Sequence, residues 1–479
     1  MERRDVDVCV VGAGFAGLAA ARYVVDAKKT VAVLEARDRV GGRVWNKTLK
    51  DGTVVSAGGT WLGKGNDRMK CLVEEVKLEK YRQYVGHSKP DPDDPLNLCD
   101  EGADQILRLD GVNRRYKGMF FPIDFAALAS ALVGVSELNE IAKSVPIDKP
   151  WEAPNARALD SRTLGEWIDS SLNVPSDLAK ALFRASLGLF FCGDLSLVSL
   201  LGSLVFARGG GDDYFNYYMD STITEQYLVD GGVPEVAQRL GQKLGDALRK
   251  STPVRRVKWS ADHVEVFGDD ITVRAKYVII TAPPALASQI EYDPPLPVAY
   301  GQLLRQMPAG VILRGIVVYD EPFWRKMGLT GQSLAPQSPV VVTIDQCPKA
   351  PEGGGQPKGI LSSYAMGPKA MELAAMDPAA RKALWLNELV ERFDGNEAAR
   401  NPIAYDETNW SAEQWSQGGM IAHFPPGVLT SYGSVLHQPC GRIYWAGSER
   451  ATEMHGLMEG AVRSGEQAAK DAIDKLQLT

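Results

Sequence analysis

The sequence predicts an α/β fold in two domains, one of which binds a dinucleotide. The chain has 479 residues, more than a single compact core usually holds. Near its start, a strand-turn-helix pattern carries three glycines in the spacing GxGxxG. Near its end, a second strand and Gly-rich turn lead into a helix, in IYWAGSERATEMHGLMEGA. We therefore expect a Rossmann-like unit that draws on both ends of the chain, with an α+β domain inserted between them.

The first motif lies in DVDVCVVGAGFAGLAAARYVV, which is typical of a buried parallel strand followed by a tight turn and a helix. Gly12 permits the turn, Gly14 lets backbone N–H groups approach a pyrophosphate, and Gly17 lets the helix pack close to the strand. The helix N-terminus then offers unpaired donors and a positive dipole end to the phosphates. The next apolar run, TVAVLE, ends at Glu35, where a carboxylate can accept hydrogen bonds from an adenosine ribose.

Composition excludes several classes of function. The formal net charge is −7, which argues against a nucleic-acid binder, since such proteins present a basic face. The six cysteines form no CxxC pair and no Cys/His cluster with zinc spacing, so we expect no metal site and a reducing compartment. The apolar start is interrupted by Asp5 and Asp7, and no apolar run is long enough for a membrane span. We expect a soluble, cytoplasmic protein with no membrane association.

The residues after Glu35, in EARDRVGGRVW, form a basic Gly-rich loop that can wrap a pyrophosphate a second time. With SAGGTWLG further on and the C-terminal IYWAGSER motif, this loop resembles the flavin-binding elements of the glutathione-reductase-like superfamily. The resemblance extends over the whole chain, and it is greatest to flavin-dependent amine oxidases of the monoamine oxidase type. It implies FAD as the cofactor.

The resemblance assigns a set of residues to FAD, most of them in turns. They are Gly12, Gly14, Gly17, Glu35, Ala36, Arg37, Gly41, Gly42, Arg43, Gly58, Gly59, Thr60, Val254, Pro283, Trp410, Gly447, Ser448, Glu449, Leu457, Met458 and Ala461. The family usually has an acidic residue two positions before the Gly58–Gly59 pair, where this chain has Ser56.

The same resemblance divides the chain into two discontinuous domains. We expect the FAD-binding domain to use residues 1–75, 225–290 and 430–479. The substrate-binding domain would use residues 76–224 and 291–429, with helical patterns in the first segment and strands such as VILRGIVVYD in the second.

At three positions on the substrate side of the flavin, this chain has a different residue from the one usual in the family. Arg314 stands where a lysine usually holds a water near the flavin, and its planar, permanent charge is a different chemical group. Met420 and Leu457 stand where the family has the two aromatic residues that form a cage around the substrate amine. Without the cage, we expect a more apolar pocket that accepts a bulkier alicyclic or aryl amine.

Two further residues complete the predicted catalytic set of Arg314, Trp410, Met420, Leu457 and His455. Trp410 matches an aromatic residue that packs near the flavin, and His455 is a candidate to line the pocket. Gly418, Gly419 and Met420 stand where monoamine oxidases carry the cysteine that is linked to the flavin, so we predict non-covalent FAD.

The resemblance implies oxidation of an amine to an imine, which hydrolyses to an aldehyde or ketone, while O2 is reduced to H2O2. One alternative is an L-amino-acid oxidase in which Arg314, or another arginine of the pocket, holds the substrate carboxylate. A flavin desaturase or oxidative cyclase is another, and a flavoprotein fold used only for interaction is a third. The partners expected are a small amine and O2, and the family resemblance suggests a homodimer. Phe190, Phe191, Tyr214, Phe215 and Tyr217 are candidate pocket walls.

Overall fold

The computed structural model of the chain describes residues 2–84, 103–117, 120–171, 174–210, 227–351 and 355–478. Its strands, in chain order, are β1 Glu2–Val11, β2 Val31–Leu34, β3 Asn46–Thr48, β4 Val54–Ser56, β5 Lys80–Arg82, β6 Asp104–Leu109, β7 Val112–Tyr116, β8 Tyr227–Val229, β9 Leu248–Arg249, β10 Val254–Trp259, β11 Val264–Gly268, β12 Ile271–Ile280, β13 Glu291–Asp293, β14 Ile312–Tyr319, β15 Leu329–Leu334, β16 Val342–Asp345, β17 Gly359–Met366, β18 Ala404–Asn409 and β19 Ile443–Trp445.

The α-helices of the described residues alternate with these strands. They are α1 Phe15–Asp26, α2 Asp67–Glu75, α3 Phe125–Lys143, α4 Ala156–Asp160, α5 Leu164–Ser170, α6 Asp177–Phe191, α7 Leu200–Gly210, α8 Val233–Lys243, α9 Pro284–Ala287, α10 Val298–Arg305, α11 Phe323–Lys326, α12 Gly367–Ala375, α13 Pro378–Arg392, α14 Val428–Tyr432 and α15 Met458–Gln477. The predicted α/β class is confirmed.

The first sheet contains the N-terminal motif and orders its strands β13-β10-β11-β12-β1-β2-β9. β1 lies between β12 and β2 and is parallel to both, with Val11 opposite Ile280 on one side and Leu34 on the other. The three strands therefore end together, so the turns that follow them meet at one edge of the sheet. β19 completes this sheet by pairing with residues 278–280 of β12, as the C-terminal motif predicted.

Both faces of the first sheet are covered by apolar side chains, as a largely parallel sheet requires. On one face, α1 packs against the C-terminal helix α15. A Cβ atom at Gly465 of α15 would stand 2.1 Å from the carbonyl oxygen of Ala16, so the two helices approach as closely as backbones allow. The end of the chain is thereby fixed against the dinucleotide motif at its start.

The second sheet orders its strands β18-β14-β17-β16-β15-β6-β7 and is mainly antiparallel. α12 and α13 pack on it, and a separate apolar cluster is built mainly from α3, α5, α6 and α7. The strands of the two sheets fall in the two predicted sets of segments, apart from β13 at 291–293. The exact domain boundaries stay a prediction.

One helix among the described residues, α3, is long and apolar enough to cross a membrane by length and composition alone. Core helices of soluble proteins pass the same test, and α3 contributes Ala131, Val135 and Leu138 to the buried helical cluster. The absence of membrane association stays a prediction.

Candidate active site

A cavity of about 420 Å³ lies between the carboxyl edge of the first sheet and the second sheet. Small-molecule sites commonly enclose about 300–1,000 Å³, so the cavity has the size of an organic ligand site. Residues after β1, β2 and β12 line one side of it, and residues of β14, β16 and β17 line the other.

The glycine turn after β1 forms one part of the wall. Gly12 has a φ of +104°, and a Cβ atom there would stand 2.5 Å from the hydroxyl of Thr281. A Cβ atom at Gly17 would stand 1.9 Å from the carbonyl oxygen of Gly12, so only glycine allows helix and turn to pack this closely. Gly14 precedes α1, and no side chain caps this helix N-terminus. Its backbone donors and positive dipole end therefore suit a phosphate.

A second helix N-terminus reaches the cavity from the other end of the chain. α15 begins at Met458, and no side chain caps it either. Gly447 is held against this helix by Ser464: the N–H of Gly447 donates to the Ser464 hydroxyl, and the carbonyl oxygen of Gly447 accepts from the same hydroxyl. The predicted return of the C-terminal segment to the glycine turn is confirmed, and it gives the cavity two helix dipoles directed at its contents.

Glu35 lies where β2 ends and is 3% exposed. Its Oε2 atom accepts a 2.6 Å hydrogen bond from the N–H of Ala13, and its Oε1 atom accepts one of 2.9 Å from the N–H of Arg37. These contacts hold the carboxylate beside the glycine turn, at a position suited to a ribose. We call this part of the cavity, lined by Leu34, Glu35, Val254, Arg255 and Leu286, the Glu35 end.

Arg43 joins three parts of the chain at the middle of the cavity. Its guanidinium donates to the carboxylate of Glu449, to the hydroxyl of Ser448 at 3.0 Å and to the carbonyl oxygen of Met420 at 2.8 Å. Burial raises the pKa of Glu449, but Arg43 outweighs it and lowers this pKa to about 2. Glu449 therefore carries a full charge that is matched by Arg43 and does not itself line the cavity.

Nineteen of the residues predicted to bind FAD line this one cavity. They are Gly12, Gly14, Glu35, Ala36, Arg37, Gly41, Gly42, Arg43, Gly58, Gly59, Thr60, Val254, Pro283, Trp410, Gly447, Ser448, Leu457, Met458 and Ala461. Gly17 and Glu449 lie behind the wall and support it. The structure thus brings the set together, while the contact of each residue with FAD stays a prediction.

Arg314 lines the cavity from β14 and is 2% exposed. It donates to Ser362 at 2.9 Å, to Thr60 at 3.2 Å and to Gln346 at 3.0 Å. A further N–H group of Arg314 donates to the carbonyl oxygen of Gly58. Four contacts with the protein therefore occupy the guanidinium, which ties the second sheet to the turn at residues 58–60.

Two aromatic rings enclose the same guanidinium. Its carbon lies 5.5 Å from the ring centre of Trp61 and 5.2 Å from that of Tyr364, within cation–π range. Both rings line the cavity, and neither was singled out from the sequence, although Trp61 directly follows the GGT turn. No sequence motif marks Tyr364, because its position beside Arg314 depends on the pairing of β17 with β14.

Met420 and Leu457, at the two predicted cage positions, both line the cavity. They are accompanied by other apolar and aromatic side chains, namely Leu189, Phe190, Ile312, Ile344 and Trp410. Trp410 is fixed by a 3.0 Å hydrogen bond from its indole N–H to the carbonyl oxygen of Ala57. We call this part of the cavity the apolar end.

The expectation that His455 lines the pocket is not met. Its ring is 2% exposed, stacks on Phe424 with ring centres 5.8 Å apart, and contacts the carbonyl oxygen of Ala451 through Nδ1. Burial lowers its pKa, so the ring is neutral at pH 7. Leu457, two residues later, faces the cavity instead, because the turn at Gly456 reverses the chain between them.

Two other predictions fall outside the described cavity wall. Phe191 packs in the helical cluster, whereas its neighbour Phe190 lines the cavity. Tyr214, Phe215 and Tyr217 lie outside the described residues. At the Glu35 end, Arg255, Trp415 and Ser416 line the cavity and were missed, because no motif marks them.

The site as a whole fits a dinucleotide cofactor. Two uncapped helix N-termini, a glycine turn without side chains and a fixed carboxylate meet along one cavity. Its apolar end is lined by other elements, including β14 and β16. The fold and the site therefore define a dinucleotide-binding protein.

Comparison with known proteins gives the family. A family model described as flavin containing amine oxidoreductase matches residues 15–473. Putrescine oxidase from Kocuria rosea is 33% identical, over 99% of this chain and 96% of the relative. Flavin-containing amine oxidase B from Homo sapiens is also 33% identical, over 98% and 86%. An L-amino acid dehydrogenase from Synechocystis is 31% identical, over 98% and 95%.

A solved structure agrees with these relatives. Cyclohexylamine oxidase from Brevibacterium oxydans superposes with a TM-score of 0.88, at 28% identity, over 99% of this chain and all of that one. The chain belongs to the flavin-containing amine oxidoreductase family, and the predicted family and flavin cofactor are confirmed. It is a flavin-dependent oxidoreductase that acts on amines.

Proposed function

We propose that this enzyme binds FAD without a covalent link and oxidises a bulky, apolar monoamine with an alicyclic or aryl group. The single observation that carries the proposal is the composition of the apolar end. Among the described residues that line the cavity, Glu35 is the one carboxylate, and it lies at the opposite end with its oxygens engaged.

Among the described residues that line the apolar end, no carboxylate could pair with a second ammonium group. The charged side chain that these residues supply there is Arg314, which has the same sign as an ammonium group. Burying an unpaired charge costs several kcal/mol, so diamines are disfavoured and a neutral hydrocarbon group is favoured. A ring of carbon atoms that packs against lining side chains such as Met420, Leu457 and Ile344 would gain about 25 cal/mol for each Å² removed from water.

The amino-acid alternative needs an arginine that is free to hold a carboxylate. Arg314 donates to Ser362, Thr60, Gln346 and Gly58, and rings on two sides enclose it. A substrate carboxylate would have to displace these hydrogen bonds, which are worth about 1.5–3 kcal/mol each for a charged donor. An amine without a carboxylate is therefore the better substrate for this site.

The residues of the chain orient the substrate and exclude water. FAD, when bound, supplies the group that takes a hydride from the carbon next to the nitrogen and later passes two electrons to O2. The imine product hydrolyses in water to the aldehyde or ketone. The buried apolar wall strips water from the amine, and it favours the neutral amine, because no described carboxylate lies there to stabilise an ammonium ion.

The absence of a covalent link is supported by the position of the cysteines. Gly419 and Met420 line the cavity, and none of the five described cysteines does. Denaturing the holoprotein in acid and separating the precipitate tests this directly. We expect the yellow colour to remain in solution, and colour in the pellet would contradict the proposal.

A peroxide-coupled assay with matched amines tests the substrate. Cyclohexylamine and benzylamine represent apolar monoamines, putrescine represents a diamine, and L-leucine represents an amino acid. We expect kcat/KM for a cyclic monoamine to exceed that for putrescine by at least about tenfold, which corresponds to about 1.4 kcal/mol. Preference for putrescine or L-leucine would overturn the proposal.

The amino-acid alternative has its own variant. If Arg314 held a substrate carboxylate, Arg314→Ala would abolish activity on L-leucine while sparing amines. We expect instead that Arg314→Ala lowers the activity on every substrate, because it removes the hydrogen bonds that hold residues 58–60 in place.

We also propose a cytoplasmic location, because the unpaired cysteines suit a reducing compartment, and a homodimer, following the family resemblance. Light scattering after size-exclusion chromatography would give the mass to compare with 52.1 kDa for one chain.

A further inference from the structure

We propose that the ion pair between Arg37 and Glu413 is a latch that determines how long FAD stays bound. The latch fixes residues 411–418 across the Glu35 end of the cavity. This inference rests on the proposed non-covalent binding of FAD. Glu413 does not line the cavity, so it is a positioning residue that acts through its neighbours.

Residues 411–418 follow β18 and reach across to the first sheet. Trp415 and Ser416 of this segment line the Glu35 end, and Ser416 is 2% exposed. Ligand in this part of the cavity is therefore covered on one side by the segment. Movement of Trp415 and Ser416 would open this side of the cavity.

An ion pair between Arg37 and Glu413 attaches this segment to the first sheet. The Nε atom of Arg37 lies 3.2 Å from Oε1 of Glu413, and Nη2 lies 2.5 Å from Oε2. The same Nη2 atom donates to the hydroxyl of Ser416 at 2.8 Å. The side chains are 9% and 20% exposed, so water competes little with this two-point contact.

Glu413 also organises the segment from within. Its Oε2 atom accepts from the N–H of Trp415 at 3.2 Å, and its carbonyl oxygen accepts from the N–H of Gln417 at 2.9 Å. Burial raises the pKa of its carboxyl group, but the hydrogen bonds from Arg37 outweigh this effect and lower it. The carboxylate therefore stays charged at neutral pH and holds Arg37 and Trp415 together.

The other contacts of this segment with the same region are weaker. Gln289 donates to Gln417 at 3.2 Å in an exposed position, and Arg255 lies 5.7 Å from the ring centre of Trp415. Exposed contacts of these kinds contribute about 1 kcal/mol or less. Without the carboxylate of Glu413, these contacts and the hydrogen bond from Arg37 to Ser416 would hold the segment.

The test measures the release of FAD and needs no turnover. Holoprotein is diluted, and the fluorescence of released FAD is followed for the wild type and for Glu413→Gln. Glutamine keeps the shape of the side chain and removes its charge. We expect FAD to dissociate about tenfold faster or more from Glu413→Gln, because removing one partner of a buried charge pair acts mainly on dissociation.

A second ion pair provides a matched control. Arg381 donates to Glu407 at 2.7 Å, and these side chains are 12% and 15% exposed, but neither lines the cavity. Glu407→Gln should leave the rate of FAD release unchanged within about twofold. In the Arg37→Met background, Glu413→Gln should add no further acceleration, since the pair acts as one unit.

The outcomes separate the latch from the proposed function. Equal release rates for the wild type and Glu413→Gln would overturn the latch, and so would equal acceleration by Glu407→Gln. Flavin that stays attached to denatured wild-type protein would overturn the non-covalent binding on which the latch depends. Circular dichroism melting of each variant confirms that release is measured on folded protein.

Discussion

The carboxylate of Glu449 accepts two N–H donors of Arg43, a residue 406 positions earlier in the chain. Glu449 is 2% exposed, and its Oε1 atom also accepts from the N–H of Ala422 at 3.1 Å. One buried charge pair thus joins the first flavin motif, the segment after Met420 and the C-terminal turn. Loss of this charge pair should lower the stability of the protein and disturb the geometry of the cofactor site.

We predict that Glu449→Gln destabilises the protein and flattens its response to acid. The pKa of Glu449 is about 2 in the folded protein, against an ordinary value of 4.5. Because the folded value is the lower one, the stabilisation is complete above about pH 4.5 and is lost as pH falls through 2. The difference corresponds to about 3 kcal/mol. Urea unfolding at several pH values measures it, and identical pH profiles for wild type and variant would refute the prediction.

We predict that Leu457→Tyr combined with Met420→Tyr changes the substrate preference. Both side chains line the apolar end, and two phenol rings would narrow the space between them. We expect kcat/KM for cyclohexylamine to fall about tenfold relative to that for benzylamine, since a flat ring stacks between aromatic faces and a puckered ring does not. Leu457→Ile, which keeps the volume, should leave the ratio unchanged. An unchanged ratio in the double variant would show that these positions do not face the substrate.

We predict that His455→Phe retains amine oxidation within about threefold of the wild type. The ring is buried outside the cavity wall, and phenylalanine keeps its stacking on Phe424. Loss of a general base would instead lower kcat by about 10²–10⁴-fold. Steady-state kinetics with cyclohexylamine across pH 6–9 distinguish these results. A loss of kcat in the larger range would indicate that His455 takes part in catalysis.

We predict that Gly17→Ala prevents flavin binding, whereas Gly188→Ala does not. Both glycines lie in helices, but a Cβ atom at Gly17 would stand 1.9 Å from the carbonyl oxygen of Gly12. At Gly188 the nearest atom is 3.8 Å away, which is ordinary contact. Alanine at position 188 should stabilise its helix by up to about 1 kcal/mol. Flavin absorbance per chain in the purified variants measures the effect, and full occupancy in Gly17→Ala would contradict it.

Much of the cofactor site could be predicted from the sequence, because local rules determine it. Gly12 and Gly17 are required by a turn and a close approach that short-range spacing specifies, and Glu35 follows from the strand after them. The family resemblance correctly placed Leu457 and Met420 on the cavity wall.

Partners that meet only through the tertiary fold could not be predicted. Arg37 was expected to bind the cofactor, yet its guanidinium forms an ion pair with Glu413, 376 positions away. The contacts of Arg314 with Gln346 and the Gly58 carbonyl depend on how two sheets pack. The prediction that His455 lines the pocket was wrong for a related reason. A single turn at Gly456 determines that Leu457, and not His455, faces the cavity.

The position of β19 has a consequence for synthesis of the protein on the ribosome. Residues 278–280 of β12 present an open backbone edge until residues 443–445 have emerged and paired with them. For more than 150 residues of elongation, β12 therefore lacks part of its final neighbour, and an open strand edge is prone to wrong pairing. Chaperones that shield strand edges should matter most during this interval, and the C-terminal part of the cavity wall, from Gly447 to Ala461, can form only after it.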